Sequence, residues 1–551
     1  MVEHLTFNQV VRGSNPRTLT FLLKESEKNL ILFLYLQENR IHRLESKVGI
    51  LYNKLRELSE SDFYPFHMPG HKRHKDITEA DLPYELDITE IDGFDDLHHA
   101  EDILLEEQRK AADIFHADES HYLVNGSTVG LLSSILGVTE PGDTILIARN
   151  CHKSVYNAIY INQLNPIYIY PSNDRNLEYE NINGEILSCD IKCMLEKNPE
   201  VRAVVVTSPT YEGVVSNIQE IANIVHANNI PLIVDEAHGS HLGFHKVFPN
   251  NSNVCGADLV IQSLHKTLPS MTQTAILHIN GNIVDREKVR NYLHMLQSSS
   301  PSYVLMASMS ECVALLKQKG NELFNSYVNE LMKVRNKLKL LSNLKLVETH
   351  RYDISKIVIY SNENTLLDGQ KLTGKLLYNL LRDEYKIQCE MSSMSYVVLM
   401  TSVADTKYGF RRLVQALEQI DRKLIIDTEK NVQEEENDQI KEQNTIQCRN
   451  EIYCNSRQVD SYRKEYGEVV VTWEKAEGRV SAEYAYVYPP GIPLIVPGEI
   501  ISHETVESIL HYERCGFKIE GTIDQNNIHV IEMNLPDGSI HANENEIYSD
   551  K

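Results

Sequence analysis

The sequence predicts an α/β protein: a mostly parallel sheet covered by helices on both faces, then a smaller α+β unit and a third, C-terminal unit. Three observations carry this expectation. Short apolar runs rich in Val and Ile recur at residues 143–148, 201–207, 230–235 and 257–262, the pattern of strands buried on both faces. Helical stretches such as residues 218–227 lie between several of them, which is the alternation of parallel strands with crossover helices. A length of 551 residues exceeds one ordinary domain, so two or three packed units are expected.

In chain order, residues 1–50 carry no recognisable chemistry. Their apolar stretch at 29–37 is shorter than the roughly 20 residues of a membrane span and lacks the small-residue cleavage site of a secretory signal. The string Val11-Arg12-Gly13-Ser14-Asn15-Pro16-Arg17 resembles the conceptual translation of a transfer-RNA gene. This leader is therefore expected to be a start-site artefact, with the protein beginning near Val48. Residues 51–327 form the expected large α/β unit. Residues 328–426 read as a smaller, helix-rich α+β unit with a few strands, such as 396–401. Residues 427–444 are charged and poor in apolar side chains, as in an exposed linker. Strand-like patterning returns from residue 445, with a Pro/Gly-rich run at 488–499. There are no internal repeats.

Composition excludes several classes. The 42% hydrophobic and 24% charged content is that of a soluble globular protein, and a cytoplasmic location without a membrane partner is expected. A formal charge of −24 argues against nucleic acid, whose phosphates would be repelled, and suits a small cationic substrate. The nine cysteines are odd in number and form no C-x-x-C pair, so reduced cytosolic thiols are expected rather than disulfides or zinc. No H-E-x-x-H pattern occurs among the 22 histidines, and no metal is expected.

Ligands of open parallel sheets bind beyond the carboxyl ends of the strands, where Asp235, Ser208 and His152 fall. Ser263-Leu264-His265-Lys266-Thr267 follows the run at 257–262. An Asp and a Lys from neighbouring strand ends are what pyridoxal 5'-phosphate requires. The amine forms the imine, while the carboxylate pairs with the protonated pyridine nitrogen and keeps the ring an electron sink. Gly126-Ser127-Thr128 opens an apolar helix, whose first N–H groups and hydroxyls suit a phosphate. His152, in Asn150-Cys151-His152-Lys153-Ser154, follows a strand end where an imidazole can stack on the ring. Taken singly, each has a plainer reading: a surface lysine, a helix-capping aspartate, a Ser/Thr cap or a loop histidine.

Together the ordered motifs resemble the Orn/Lys/Arg decarboxylase family of fold-type I pyridoxal-phosphate enzymes. To those above are added Ser208-Pro209-Thr210-Tyr211-Glu212-Gly213 and Asp235-Glu236-Ala237-His238-Gly239. Further matches are Pro65-Phe66-His67-Met68-Pro69-Gly70-His71-Lys72-Arg73, the acidic segment from Asp87 to Leu97, Tyr488-Pro489-Pro490-Gly491-Ile492-Pro493 and Pro497-Gly498-Glu499. The resemblance runs from about Leu51 to the end, apart from the acidic linker. It implies an aminotransferase-like large domain that binds the cofactor, a small domain and a C-terminal decarboxylase domain.

The resemblance also implies roles. Lys266 is the Schiff-base lysine, Asp235 the pyridinium partner and His152 the residue stacked on the ring. Ser127, Thr128, Ser263 and His265 hold the phosphate beside Gly126, Ala237 and His238 line the cofactor's other side, and Ser208 belongs to the same site. Ser298-Ser299-Ser300-Pro301-Ser302 lies where such enzymes reach a neighbour's cofactor, which implies a homodimer or dimer of dimers with shared active sites. The family's long members carry an N-terminal wing domain; nothing before Leu51 has the βα pattern of one, so the short form is expected.

The expected reaction removes the α-carboxylate of a basic L-amino acid as carbon dioxide and leaves agmatine, cadaverine or putrescine. Arginine and lysine lead as substrates, ahead of ornithine. An aminotransferase of this fold generally grips the α-carboxylate with a small-domain arginine, and residues 392–405 contain none; Arg411-Arg412 reads as solvent-facing. The alternatives are another activity of this fold, such as an aminotransferase, or a non-catalytic homologue. Lys266 and His152 are both candidates to return the proton to Cα. Asp92, Asp95, Asp96, Glu483 and Glu499 are the candidate carboxylates for the substrate's cationic end.

Overall fold

Runs that are apolar on successive residues become strands only where both faces of a sheet are covered, and four such runs lie at the centre of this one. The computed structural model describes residues 49–172, 182–361, 365–367, 369–426, 449–488, 491–524 and 526–533. The leader through Val48, the acidic linker at 427–444 and Pro489-Pro490 lie outside the described residues. Strands β1 (Glu119–Leu123), β2 (Thr144–Ala148), β3 (Asn165–Ile169), β4 (Val201–Thr207), β5 (Leu232–Asp235), β6 (Leu259–Gln262) and β7 (Ala275–Ile279) form one sheet of order β1-β7-β6-β5-β4-β2-β3. Only β7 runs against its neighbours. Every residue of β5, β6 and β7 is buried.

Helices α1 (Gly126–Val138), α2 (Lys153–Ile161), α3 (Ile218–Ala227) and the single turn α4 (Leu264–Thr267) connect these strands or follow their ends. The expected helix at 218–227 matches α3 residue for residue. β1, β3 and β7 are not among the runs that mark strands in the sequence; in β1 and β7 the reason is visible. Glu119, Ser120 and His278 interrupt their apolar pattern, and each has a distant partner: Ser120 Oγ lies 2.7 Å from His278 Nδ1, and Glu119 accepts from Arg290 at 2.7 Å.

Helix α5 (Tyr303–Leu338) runs unbroken through the division drawn at residues 327 and 328. One core joins it to the helices before the sheet and to a second, antiparallel sheet. That sheet has the order β10-β11-β9-β8, with β8 Leu344–Leu346, β9 Lys356–Ser361, β10 Met391–Ser392 and β11 Tyr396–Met400. The C-terminal residues build a separate core around Trp473, Ile495, Ile509 and Ile528. Arg149, just past β2, docks it: the buried guanidinium donates to Pro493 O at 2.6 Å and to Glu499 Oε2 at 3.2 Å. The C-terminal core is thus docked beside the carboxyl end of β2. No helix among the described residues is long and apolar enough to cross a membrane.

Candidate active site

β5 ends on Asp235, which is 4% exposed. Its Oδ1 accepts from Ala237 N at 3.2 Å. Burial raises its carboxyl pKa, against the pull of the Lys266 ammonium. Lys266 comes from α4 beyond the adjacent strand β6, and its Nζ lies 2.9 Å from His238 Nε2. Burial lowers the lysine's affinity for its proton; Asp235 and Glu390 oppose this, and Lys356 adds to it.

His238 is buried and packs on Tyr211, ring centroids 4.1 Å apart. Burial first, then Lys266 and Lys356, keep it neutral. With Nε2 accepting from the ammonium, its proton belongs on Nδ1, a buried atom with no hydrogen-bond partner.

His152 caps α2. Its Nδ1 accepts from Ser154 N at 3.2 Å, so the proton of the neutral ring sits on Nε2. Burial, with Lys266 and Lys153 adding to it, pushes this imidazole down to about 4.

At the neighbouring edge, Gly126 opens α1 with φ +71°, a left-handed conformation that glycine adopts without strain. Gly126 N donates to Gln273 O at 3.0 Å, and Asn125 makes no side-chain cap on α1, so the next N–H groups of the first turn are left for another acceptor. Ser127 Oγ and Ser263 Oγ lie 2.7 Å apart. His265 donates from Nδ1 to Thr274 O at 2.8 Å.

These groups surround a cavity of about 490 Å³. Gly126, Ser127, Thr128, His152, Asp235, Ala237, His238, Ser263, His265 and Lys266 all line it. Ser208 does not. It lies buried behind Thr207 and Thr210, its Oγ accepting from Ser216 N at 3.1 Å, and so braces the loop from the rear.

The five carboxylates considered for the substrate's cationic end do not line the cavity either. Asp95 takes the N–H groups of Glu101, Asp102 and Leu104, and Asp96 caps the turn Leu97–His99. Asp92 is exposed elsewhere. Glu483 accepts from Ile523 N and His529 N, and Glu499 is committed to Arg149 and Asn450. Their oxygens hold backbone and docking contacts.

Sequence reasoning did not single out several wall residues, among them Tyr211, Glu390, Tyr488 and Ile492. Tyr211 lay inside a quoted motif and so was within reach. Glu390 arrives from the loop before β10 and accepts from Tyr211 Oη at 3.1 Å; no spacing in the sequence announces it. Arg411 and Arg412 stay away from the cavity, Arg412 donating to Tyr385 O at 2.6 Å, and no arginine is among the lining residues.

The donor set fits pyridoxal 5'-phosphate. A buried carboxylate and a lysine amine face each other across a cavity large enough for an aromatic ring. A helix N-terminus without a side-chain cap, flanked by hydroxyls, is a ready anion site. The orphaned Nδ1–H of His238 is a further donor in the same wall. Among the described residues no cluster of His, Cys, Asp or Glu is arranged to hold a metal.

Comparison with known proteins agrees with this geometry. The model of the Orn/Lys/Arg decarboxylase major domain matches residues 50–406, and that of the Orn/Lys/Arg decarboxylase C-terminal domain matches residues 447–520. The Bacillus subtilis protein YaaO is 33% identical, over 83% of this chain and 93% of its own length. The arginine decarboxylase of Bacillus anthracis is 29% identical, over 88% and 97%. Among solved structures, the lysine decarboxylase of Francisella novicida aligns with a TM-score of 0.73 at 20% identity, covering 90% of this chain and 83% of that one. That last likeness speaks for the fold alone.

Proposed function

The chain belongs to the Orn/Lys/Arg decarboxylase family, and from that premise we propose that it removes the α-carboxylate of a basic L-amino acid at Lys266. Arginine or lysine is the substrate, ahead of ornithine. The observation that carries this reading is the convergence of Lys266, Asp235, His238 and His152 at one sheet edge, in a cavity lined by no arginine among the described residues.

Pyridoxal 5'-phosphate, when bound, supplies the electron sink for the bond that carbon dioxide leaves behind. The chain's own residues do the rest. Lys266 Nζ would anchor the group, and Asp235 would hold the proton on its ring nitrogen. The first turn of α1, with Ser127, Thr128, Ser263 and His265, would take the phosphate. His152 and Ala237 would line the remaining wall, and His152 presents a neutral imidazole because burial keeps it so. With no guanidinium among the described residues lining the cavity to grip it, the substrate α-carboxylate stays free to disperse its charge as the bond breaks. Lys266 Nζ is the nitrogen that would return a proton to Cα; His152, held neutral, would first have to take one up.

Glu390, held by Tyr211, is the carboxylate that meets the substrate's cationic end. Besides Asp235 it is the only acidic group among the described residues lining the cavity. Leu131, Met400 and Ile492 supply apolar wall around the reacting atoms.

The same reading divides the chain near residues 51–327, 328–426 and 445–551 and pairs two copies in a homodimer. Ser298, exposed beside Asn125 with its N–H on Asn125 Oδ1 at 3.2 Å, supports a loop that reaches a second copy. So do Phe63, Tyr64, Phe66 and Met68, which are 65–89% exposed in the single chain.

Separate incubation with arginine, lysine and ornithine, with the cofactor added and the amines resolved by chromatography, tests the proposal. Agmatine, cadaverine or putrescine should accumulate from one substrate. Conversion to a keto acid would reassign the site to transamination, and unchanged amino acids would refute the reading.

A further inference from the structure

Lys356, on β9, is a charged side chain with no exposure at all. It sits beside the equally buried Asp353, with Nζ and Oδ2 2.6 Å apart. A lone charge in such a place would be strongly destabilising, so where its donors go is informative. An ammonium has three N–H donors. Lys356 directs one to Asp353 Oδ2, one to Ser355 Oγ at 3.1 Å and one to the carbonyl oxygen of His238 at 3.0 Å. The first two bonds are local. The third crosses from the small sheet to the loop after β5, at the residue whose ring meets Lys266.

Asp353 crosses the same boundary. Its Oδ1 accepts from His241 Nε2 at 2.9 Å and from Ser355 N at 3.0 Å, and its Oδ2 from Ser355 Oγ at 2.9 Å as well as from Lys356. One ion pair thus grips the loop at His238 and again at His241, with every ammonium donor used. The fit is close: a Cβ added at Gly213, where φ is +103°, would stand 2.9 Å from Lys356 Cγ and 3.0 Å from Asp353 O.

We infer that Lys356 and Asp353 form a buried positioning pair that holds His238 against Lys266 and locks the small sheet, with Glu390 beside it, to the cofactor-binding edge. The inference rests on the reading that Lys266 binds the cofactor. A buried ion pair adds little stability over apolar side chains of the same size, whereas a saturated network specifies one arrangement. The pair also acts through its field. Lys356 disfavours a proton on both Lys266 and His238. The other charged or titratable groups facing Lys266 are Asp235, Glu390, His152, His238 and Tyr211.

The test is a pH titration of the near-visible absorbance of the full chain loaded with pyridoxal phosphate, which reads the proton on the Lys266 nitrogen. Lys356→Met removes a cation behind that nitrogen, so its midpoint should move to higher pH, while Lys356→Arg should stay near wild type. Asp353→Asn/Lys356→Met removes both charges, whose fields partly cancel, and should shift the midpoint upward by less than Lys356→Met does, with little change in thermal stability, a combination that a merely structural pair would not give. An unmoved midpoint in either folded Met variant would overturn the proposal. So would failure of both to fold, which would make the pair a determinant of the fold instead. Borohydride reduction of the wild type with peptide mapping separates the premise from the proposal: absence of cofactor fixed on Lys266 sinks the premise, and its presence leaves the titration to judge Lys356 and Asp353.

Discussion

Replacing Arg149 with Met tests how the C-terminal unit is held beside the cavity that Tyr488 and Ile492 help to wall. The guanidinium is 6% exposed. It donates to Pro493 O at 2.6 Å, Tyr156 Oη at 3.1 Å, Leu494 O at 3.2 Å and Glu499 Oε2 at 3.2 Å. Removing one partner of a buried ion pair costs roughly 3–5 kcal/mol, because the other charge is left without compensation. Glu499 keeps Asn450 Nδ2 and Val496 N, each at 3.0 Å, which places the expected loss near the lower end, about 3 kcal/mol. Trp473, the chain's one tryptophan, is buried in the C-terminal core and reports that unit by fluorescence. With a urea dependence of about 1–3 kcal/mol per molar, the Trp473 transition should fall by roughly 1–3 M. Arg149→Met/Glu499→Met, which removes both charges, should recover most of that loss. A midpoint unmoved by Arg149→Met would refute the claim that this ion pair docks the unit.

Three further outcomes follow from the site and the core. Asp235→Asn removes the carboxylate opposite Lys266; a loss of about 3–5 kcal/mol of charge pairing corresponds to roughly 10²–10⁴-fold in kcat, and steady-state rates at saturating cofactor check it. Glu390→Gln should raise KM about 10–100-fold with a smaller change in kcat, since a charge-assisted hydrogen bond is worth about 1.5–3 kcal/mol; comparable KM values for variant and wild type would exclude Glu390 as the contact. His278 is buried between Ser120 and Gln262, and burial pushes it down to about 3. The unfolded chain therefore takes up the proton first, and stability present above pH 6.5 is lost as pH falls from there toward 3, by about 1.4 kcal/mol per unit. Urea midpoints should show a shallower slope over pH 6.5–4.5 in His278→Asn.

How much of this was legible in the sequence depended on where each residue's partners lie. β4 and α3 match their expected spans because burial on both faces, or along one stripe, writes a local pattern. β1 and β7 left none, since Ser120 and His278 satisfy each other across 158 residues. The cavity wall shows the same split. Asp235, His152 and Lys266 sit at strand ends, where topology alone predicts convergence. Glu390 and Tyr488 arrive from the other two units; no spacing records the approach of Glu390, and Tyr488 lay inside a quoted motif without a role. Glu483 and Glu499 misled because an acidic residue in a motif does not reveal what its oxygens hold; here they hold backbone N–H groups and Arg149. Ser208 shows the limit of carrying a motif over whole, since its neighbours Thr207 and Thr210 reach the cavity and it does not.

The most direct test of the central claim is carbon dioxide release from carboxyl-labelled arginine, lysine and ornithine, with pyridoxal phosphate added and Lys266→Ala run in parallel. Release from one of the three by the wild type and none from Lys266→Ala is the predicted result. Equal release from the Lys266→Ala protein, or none from the wild type with any of the three, would contradict it.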